Sequence, residues 1–562
     1  MVDPKIFRIC DETLYHEWID EFDRLGAQQA RDLARRAESL APGVSIAIAP
    51  LAASRPDRVE LEAFARRLSS QIYRNWRIVE GAVDDAPRQL IARAAETADY
   101  VLPLPIDATL APHALALFAL ALNRATNVEL IYGDEDFLSN GKRSHPFFKT
   151  DWDPYLILGR NFVGAPALYR SQTLKRLRIE DLPGAAIDNL LHALTLRVAG
   201  ATSANAILHI PSVLCHRSKI GDWSDVEGRA IVSAHLAATG VAEAKVSAAP
   251  LAPAFNRVEF PLPAPEPVVS IIVPTRDRAD LLGPCVDGIL NRTDYSSIEL
   301  LIVDNGTIAP DAMALIETLR NTPRVRVLRD DRPFNFSQLT NSAAQVASGD
   351  ILLLLNNDTV VLHPQWLTEM ASLASRPEIG VVGARLLYPD RRIQHAGITF
   401  GPGKTIFHQM RLAGETEAGP GAELALLRSV SAVTGACLAL RRDLYLEVGG
   451  MNEADFACSC NDIDLCRRVA SRGLSIVCTP FAELLHFESP SRGYSTTPEK
   501  ADREARELMI FWSHNIELFE NSDPFHNPQI EFKPLYTDFA RPPRPHRFRD
   551  ESVNLPLPAF TY

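Results

Sequence analysis

Residues 347–366 read ASGDILLLLNNDTVVLHPQW. A Ser-Gly-Asp turn opens the stretch, an apolar run follows from Ile351 to Leu355, and the chain then breaks into Asn356-Asn357-Asp358-Thr359. A short apolar run bounded by turn residues predicts a strand buried on both faces, in a sheet with helices on either side. Oxygen-bearing side chains at the carboxyl end of such a strand stand where open α/β sheets bind ligands. Asp358 and the Asn356 side-chain oxygen can share one hard divalent cation there, Mg²⁺ or Mn²⁺. A plain Asn/Asp turn accounts for the same residues, so the surrounding chain must decide.

Working outward, strands and helices alternate. Strand VVSIIVP (268–274), a helix over 281–290, strand IELLIVDN (298–305), a helix over 310–320, strand VRVLRD (325–330) and a helix over 338–347 lead into the stretch. An earlier run has the same layout: VSIAIAP (44–50), a helix over 59–71, WRIVEG (76–81), a helix over 89–97, YVLPLP (100–105), a helix over 111–123 and ELIYGD (129–134). Alternation at these lengths predicts an α/β protein with mostly parallel, doubly covered sheets. The runs are a divergent repeat: VSIAIAP echoes VSIIVP, ADYVLPLPID (98–107) echoes GDILLLLNND (349–358), and PSVLCH (211–216) echoes PFAELLH (480–486). The expected organisation is a helical arm over 1–40, a first domain over 41–258, a Pro-rich linker over 259–267, a second domain over 268–521 and an extension over 522–562. Rich in proline, aromatics and arginine, that extension has little core of its own and is expected to lie over the second domain or to stay partly disordered.

The chain has 562 residues, enough for two or more cores, with 46% apolar and 23% charged residues. A net charge of −12 argues against nonspecific nucleic-acid binding. No apolar run is long enough to span a bilayer, and MVDPKIFRICDETLYHEW lacks the layout of a signal peptide. A cytoplasmic protein is expected, touching the inner leaflet at most through Arg541, Arg544, Arg547 and Arg549. The eight cysteines are scattered and read as reduced core residues; Cys458-Ser-Cys460 with Cys466 lacks the paired spacing of a zinc site.

Three further stretches bear on chemistry. Pro274-Thr-Arg-Asp-Arg278 follows the opening strand of the second domain, and Asp304-Asn305-Gly306 ends the next. A carboxylate at Asp304 can accept the imide N–H of uracil or thymine, with Arg276 and Arg278 meeting phosphate; an Asp-Asn-Gly turn is the alternative. Asn461-Asp462-Ile-Asp464 opens a helix, where Asp464 reads as structural and Asp462 as either a cap or a general base. His486 ends an apolar run, and its imidazole with Asp358 would complete a metal site whose other ligands are substrate phosphates and water.

These stretches resemble, in order and over about Val268 to Gly493, the family 2 glycosyltransferases of the GT-A fold, in particular the bacterial rhamnosyltransferase-like and polysaccharide-synthesis members. The matching segments include VSIIVPTRDRADLL, ELLIVDNG, VRVLRDDRPFNFSQLTN, RRIQHAG, VSAVTGACLALRR, NDIDLCRRVASRGLSIVCTP and AELLHFESPSRG. The resemblance implies two tandem GT-A domains, the first degenerate. It puts Pro274, Thr275, Arg276 and Asp304 on nucleotide-binding positions and Asn356-Asn357-Asp358 on the Asp-x-Asp metal motif. Asp462 falls on the catalytic base and His486 on an extra metal ligand. Asn356 in place of the first aspartate removes one negative charge, and Asn461 replaces a common glutamate. Asn335, Ser337 and Asn341 are candidates for the donor pocket, and His395 and His408 for the acceptor side.

The implied activity is inverting, metal-dependent transfer of a sugar from a UDP- or dTDP-sugar to a hydroxyl of a glycan or lipid-linked acceptor, in surface polysaccharide synthesis. Two alternatives stay open: a sugar-nucleotide-binding scaffold without catalysis, and a nucleotidyltransferase, for which no Gly-rich triphosphate loop with lysine is present.

Overall fold

The computed structural model describes residues 12–40, 43–80, 86–218, 225–488, 497–520, 522–535 and 538–544. Two compact units emerge: Met1–Val258 with Ala418–Leu426 and Asn521–Tyr562, and Glu259–Glu417 with Leu427–Glu520.

The second unit is built on the strand that the sequence singled out. Ile351–Leu355 is buried at every position, each of these side chains contributing about 1.5–3 kcal/mol on burial. It pairs in parallel with Val269–Thr275 and antiparallel with Cys437–Arg441. Gly349 permits the tight entry: a Cβ there would lie 2.7 Å from the Ser270 amide nitrogen and from the Val268 carbonyl oxygen. From edge to edge the sheet runs Val325–Arg329, Ile298–Asp304, Val269–Thr275, Ile351–Leu355, Cys437–Arg441, Ile379–Leu387, Ser475–His486 and Thr359–Val361. The first four strands are mutually parallel, so their carboxyl ends, with residues 274–276, 304–305 and 356–358, share one edge.

Among the described residues the first unit repeats this order without a counterpart of the Val325–Arg329 edge strand. Its sheet runs Trp76–Ile78, Ile46–Leu51, Tyr100–Pro105, Ala167–Arg170, Leu130–Ser139, Ile207–Arg217 and Thr109–Leu110. Every pairing has the same sense as its counterpart, including the reversed strand inserted beside the central parallel set. Thr109 pairs with His216 as Thr359 pairs with His486, so the two histidines are equivalent. The chain thus has two tandem α/β domains of one parallel-rich topology.

The N-terminal helices Glu12–Trp18 and Ala27–Glu38 belong to the first unit, where the Tyr15 hydroxyl donates to Asp136 Oδ2 at 2.7 Å. The C-terminal extension corrects the sequence expectation: its described residues pack on the first unit. The Trp18 indole N–H donates to the Ala540 carbonyl at 3.1 Å, and Asn527 Nδ2 donates to Asp134 Oδ2 at 2.9 Å. Trp18, Phe148 and Phe539 form an aromatic cluster with centroids 5.6–5.9 Å apart, and burying these rings outweighs the poor core of the tail. Arg541 faces Glu17 and Glu21, and Arg544 donates to the Asn527 and Ile530 carbonyls. Arg547 and Arg549 lie outside the described residues.

Candidate active site

A cleft of about 850 Å³ opens in the second unit at that shared sheet edge. Pro274, Thr275, Arg276, Asn356, Asn357, Asp358, Asp462 and His486 all line it, so eight of the predicted residues converge from four separate stretches of sequence.

At its base the chain turns hold each other. Asn357 Nδ2 donates to Thr275 Oγ1 at 2.9 Å, and the Asn305 amide donates to the Thr275 carbonyl at 2.9 Å. Asp277, in a left-handed conformation (φ 52), accepts from the Ile308 and Ala309 amides at 2.6 and 2.7 Å. These amides hold the Asp277 carboxyl below the usual carboxylate range. Arg276 remains half-exposed at the wall, whereas Arg278 is engaged by Asp280 and does not reach the cleft.

Asp358 is buried, and its Oδ1 has no hydrogen-bond partner. It lies 3.2 Å from His486 Nε2, and Asn356 Nδ2 stands 3.2 Å from the same nitrogen. His486 Nδ1 lies 2.7 Å from Gln394 Oε1, an acceptor, so this nitrogen carries a hydrogen, and in the neutral ring Nε2 has the lone pair. An orphaned carboxylate oxygen and an imidazole nitrogen thus lie side by side, a donor pair that with the neutral ring fits a divalent cation completed by phosphate and water. Among the described residues no group of three or more His, Cys, Asp or Glu side chains forms a metal site by itself.

Asp462 is the second residue of helix Asn461–Ala470, near its positive end. Its Oδ2 accepts from the Gly435 amide at 2.8 Å and its Oδ1 from the Ile463 amide at 2.8 Å. Those bonds fix the direction of the carboxylate. Asp464 instead pairs with Arg468 at 2.8 Å on the same helix, as the sequence implied.

Other candidates are corrected. Asp304 does not line the cleft: its Oδ1 accepts from the Thr307 amide at 2.9 Å and its Oδ2 from Arg329 at 2.7 Å. The next residue takes the wall position. Asn305 gives both amide hydrogens to the Asp330 and Arg332 carbonyls at 2.9 Å, leaving a buried Oδ1 without a partner. Asn335 caps helix Phe336–Val346, accepting from the Gln338 amide at 3.0 Å. Asn341 accepts from the Tyr445 hydroxyl at 2.5 Å and the Met451 amide at 2.9 Å; Ser337 donates to the Phe456 carbonyl. None of these three lines the cleft, because each satisfies buried backbone. His395 and His408 pair with each other, Nδ1 to Nδ1 at 3.0 Å, away from the wall. Burial pushes the His408 ring down to about 4 and that of His395 well below its ordinary value, which favours the neutral form of both.

Sequence reading missed Lys500, Arg503 and Glu504, which reach the cleft from helix Pro498–His514, and Thr434 to Ala436, Ser459 and Glu488. The i, i+3, i+4 spacing of Lys500, Arg503 and Glu504 was the available signal, since it puts them on one helix face.

Residues 270–447 match the family described as "Glycosyl transferase family 2" and form a domain of that family. Over 78% of its length the chain is 37% identical to "Uncharacterized protein y4gI" of Sinorhizobium fredii, covering 49% of that protein. It is 38% identical, again over 78% of its length, to "O-antigen biosynthesis protein RfbC" of Myxococcus xanthus, covering 34% of it. The chain thus spans half or less of the length of these relatives. Among solved structures, a mannosyltransferase of Pyrobaculum calidifontis in complex with GDP-Man and Mn²⁺ aligns at 18% identity and a TM-score of 0.34, over 48% of this chain and 69% of that one.

Proposed function

We propose that the second unit is an inverting glycosyltransferase that moves a sugar from a nucleoside-diphospho-sugar to an acceptor hydroxyl. The observation that carries this is one cleft lined by both Asp462 and the Asp358–His486 pair. Pro274 to Arg276 form the floor for the nucleoside. Asn305 Oδ1, an acceptor locked by its two amide bonds, takes the imide N–H of uracil or thymine, which favours a UDP- or dTDP-sugar. Arg276, Lys500 and Arg503 face the diphosphate and balance its charge.

Asp358, His486 and Asn356 are the residues to hold Mg²⁺ or Mn²⁺, which when bound neutralises charge on the leaving diphosphate. Asp462 accepts the proton of the acceptor hydroxyl as its oxygen attacks the anomeric carbon; the C–O bond to the diphosphate breaks on the opposite face, inverting that carbon. Loss of one carboxylate at Asn356 leaves the site dependent on His486 and on the substrate's own oxygens. A glycan or lipid-linked acceptor of a surface polysaccharide is the proposed partner, supported by the likeness to the O-antigen biosynthesis protein. The proposed location is the cytoplasm; no described helix is long and apolar enough to cross a membrane.

Thermal shift with UDP- and dTDP-sugars, each with and without Mn²⁺, tests the reading. A donor that binds the folded chain raises the melting temperature, increasingly so as its concentration exceeds its Kd, and only with metal. The absence of a shift with every nucleotide sugar would count against it.

A further inference from the structure

We infer that Gln394 and Glu488 are positioning residues that set the tautomer of His486; the consequence for metal binding rests on the function proposed above. Gln394 is buried on strand Ile393–His395, with its amide between two partners. Its Oε1 meets His486 Nδ1 at 2.7 Å, and its Nε2 meets Glu488 Oε2 at 3.3 Å. The carboxylate is an acceptor only, so it fixes which end of the Gln394 amide is nitrogen. That leaves the oxygen toward His486, and an oxygen can only accept, so Nδ1 carries the hydrogen. In the neutral ring Nε2 is then the lone-pair nitrogen, 3.2 Å from both Asp358 Oδ1 and Asn356 Nδ2. If the amide were turned over, its oxygen would oppose the Glu488 carboxylate and its N–H would oppose Nδ1–H.

Glu488 is held in turn. Arg411 Nη2 lies 3.2 Å from both of its oxygens, and Arg411 Nε donates to the Tyr388 hydroxyl at 2.7 Å. Glu488 has a left-handed backbone (φ 42), an uncommon state for a residue with a side chain. That conformation occurs two residues past His486, where the side chain reaches back to Gln394 and Arg411. Hence a chain of directional bonds runs Arg411, Glu488, Gln394, His486, and each link fixes the polarity of the next. Outer partners of this kind typically change metal affinity about 10- to 100-fold.

The test uses the full chain labelled with ¹⁵N-histidine and free of metal. Long-range ¹H–¹⁵N spectra should show His486 protonated at Nδ1 in the parent and shifted toward Nε2–H in Gln394→Leu. Affinity for Mn²⁺ in the presence of UDP or dTDP should fall about 10- to 100-fold in Gln394→Leu. The double variant Gln394→Glu with Glu488→Gln restores an acceptor to Nδ1 and should bring affinity back to within about threefold of the parent, which a purely structural role would not do. If Gln394→Leu is poorly folded, Glu488→Ala provides the same readout through a freed amide. A parent His486 protonated at Nε2, or a tautomer unmoved in a folded Gln394→Leu, overturns the inference. A tautomer that moves while Mn²⁺ affinity stays constant, in His486→Ala as well, supports the relay and overturns the metal reading instead.

Discussion

Arg217 Nη1 lies 3.2 Å from Asp188 Oδ1 in the first unit, and both residues are withdrawn from solvent. Asp188 is the second residue of helix Ile187–Ala199, as Asp462 is of helix Asn461–Ala470. Arg217 follows His216 in the place where Phe487 follows His486. The aspartate equivalent to the proposed base therefore carries an internal cation. The remaining pieces are spent as well. His216 Nδ1 meets Asp136 Oδ1 at 2.5 Å, and Asp107 accepts from the Ser218 hydroxyl at 2.6 Å.

The first prediction follows from that ion pair. Asp188→Asn removes the nearer carboxylate from a buried guanidinium and leaves Glu135 at 3.9 Å. A loss of roughly 3–5 kcal/mol in stability is expected, seen as a lower melting temperature. Turnover of the folded variant should stay within about threefold of the parent, and the same holds for Asp107→Ala. Collapse of activity in either variant while it remains folded would mean a second active site.

Asp462→Asn keeps the size and helix position of the side chain while removing the proton acceptor. Turnover should fall by about 10²–10⁴ with little change in donor affinity, measured as kcat and as donor Kd. Near-normal kcat would return Asp462 to the role of a helix cap.

Asp358→Ala should weaken donor binding only when Mn²⁺ or Mg²⁺ is supplied, because Oδ1 has no hydrogen bond to lose and its 3.2 Å contact is with His486 of the same site. Treatment with EDTA should abolish transfer, and Mn²⁺ should restore it. Full-rate transfer by the chelated protein contradicts the assignment of Asn356, Asp358 and His486.

Asn305→Leu removes the locked acceptor without touching the diphosphate contacts. Donor affinity should drop by about 1–2 kcal/mol, or roughly 5- to 30-fold, and discrimination between uridine and cytidine diphosphates should shrink. Equal binding of both nucleotides by the parent would remove the base-reading role.

What the sequence revealed and what it hid divide along physical lines. Ile351 to Asp358 was legible because a doubly buried strand needs an apolar run and then must end, and its end lines the cleft. Asp462 was legible because a helix start restricts the residue types there. The repeat was legible from three echoes, and the identical pairing senses of the two sheets bear it out. Asp304 and Asn305 differ by one step, and only the three-dimensional turn decides which faces the cleft. Asn335, Asn341, His395 and His408 look equally suited to substrate or to backbone, and buried backbone claimed the asparagines. The tail was misjudged because its few aromatic side chains find their core in the first unit, hundreds of residues earlier in the chain.

The last prediction concerns how that tail is held. Asn527 donates to Asp134 Oδ2, while His209 Nε2 meets Asp134 Oδ1 at 2.8 Å and its Nδ1 meets Asp151 Oδ1 at 3.2 Å. A ring with a carboxylate at each nitrogen satisfies both only as imidazolium. Burial opposes that charge, but Asp134 and Asp151 outweigh it, and the His209 ring is raised above its ordinary value. A group whose folded pKa is raised contributes fully below its unfolded value, about 6.5, and the contribution is lost as pH rises through the folded value. Lys149, whose backbone amide also binds Asp134 Oδ1, is buried beside it and lowered by burial, so its own titration acts in the opposite sense at higher pH. Comparison of the parent with His209→Gln cancels the lysine contribution. The melting-temperature difference between them should be largest at pH 6 and narrow steadily toward pH 9. Amide exchange around residues 526–530 should quicken in His209→Gln at pH 6, since the bond to Asp134 that orders Asn527 is weakened. A difference in melting temperature that is constant from pH 6 to pH 9 would show that His209 is held neutral and that the tail is anchored by packing alone.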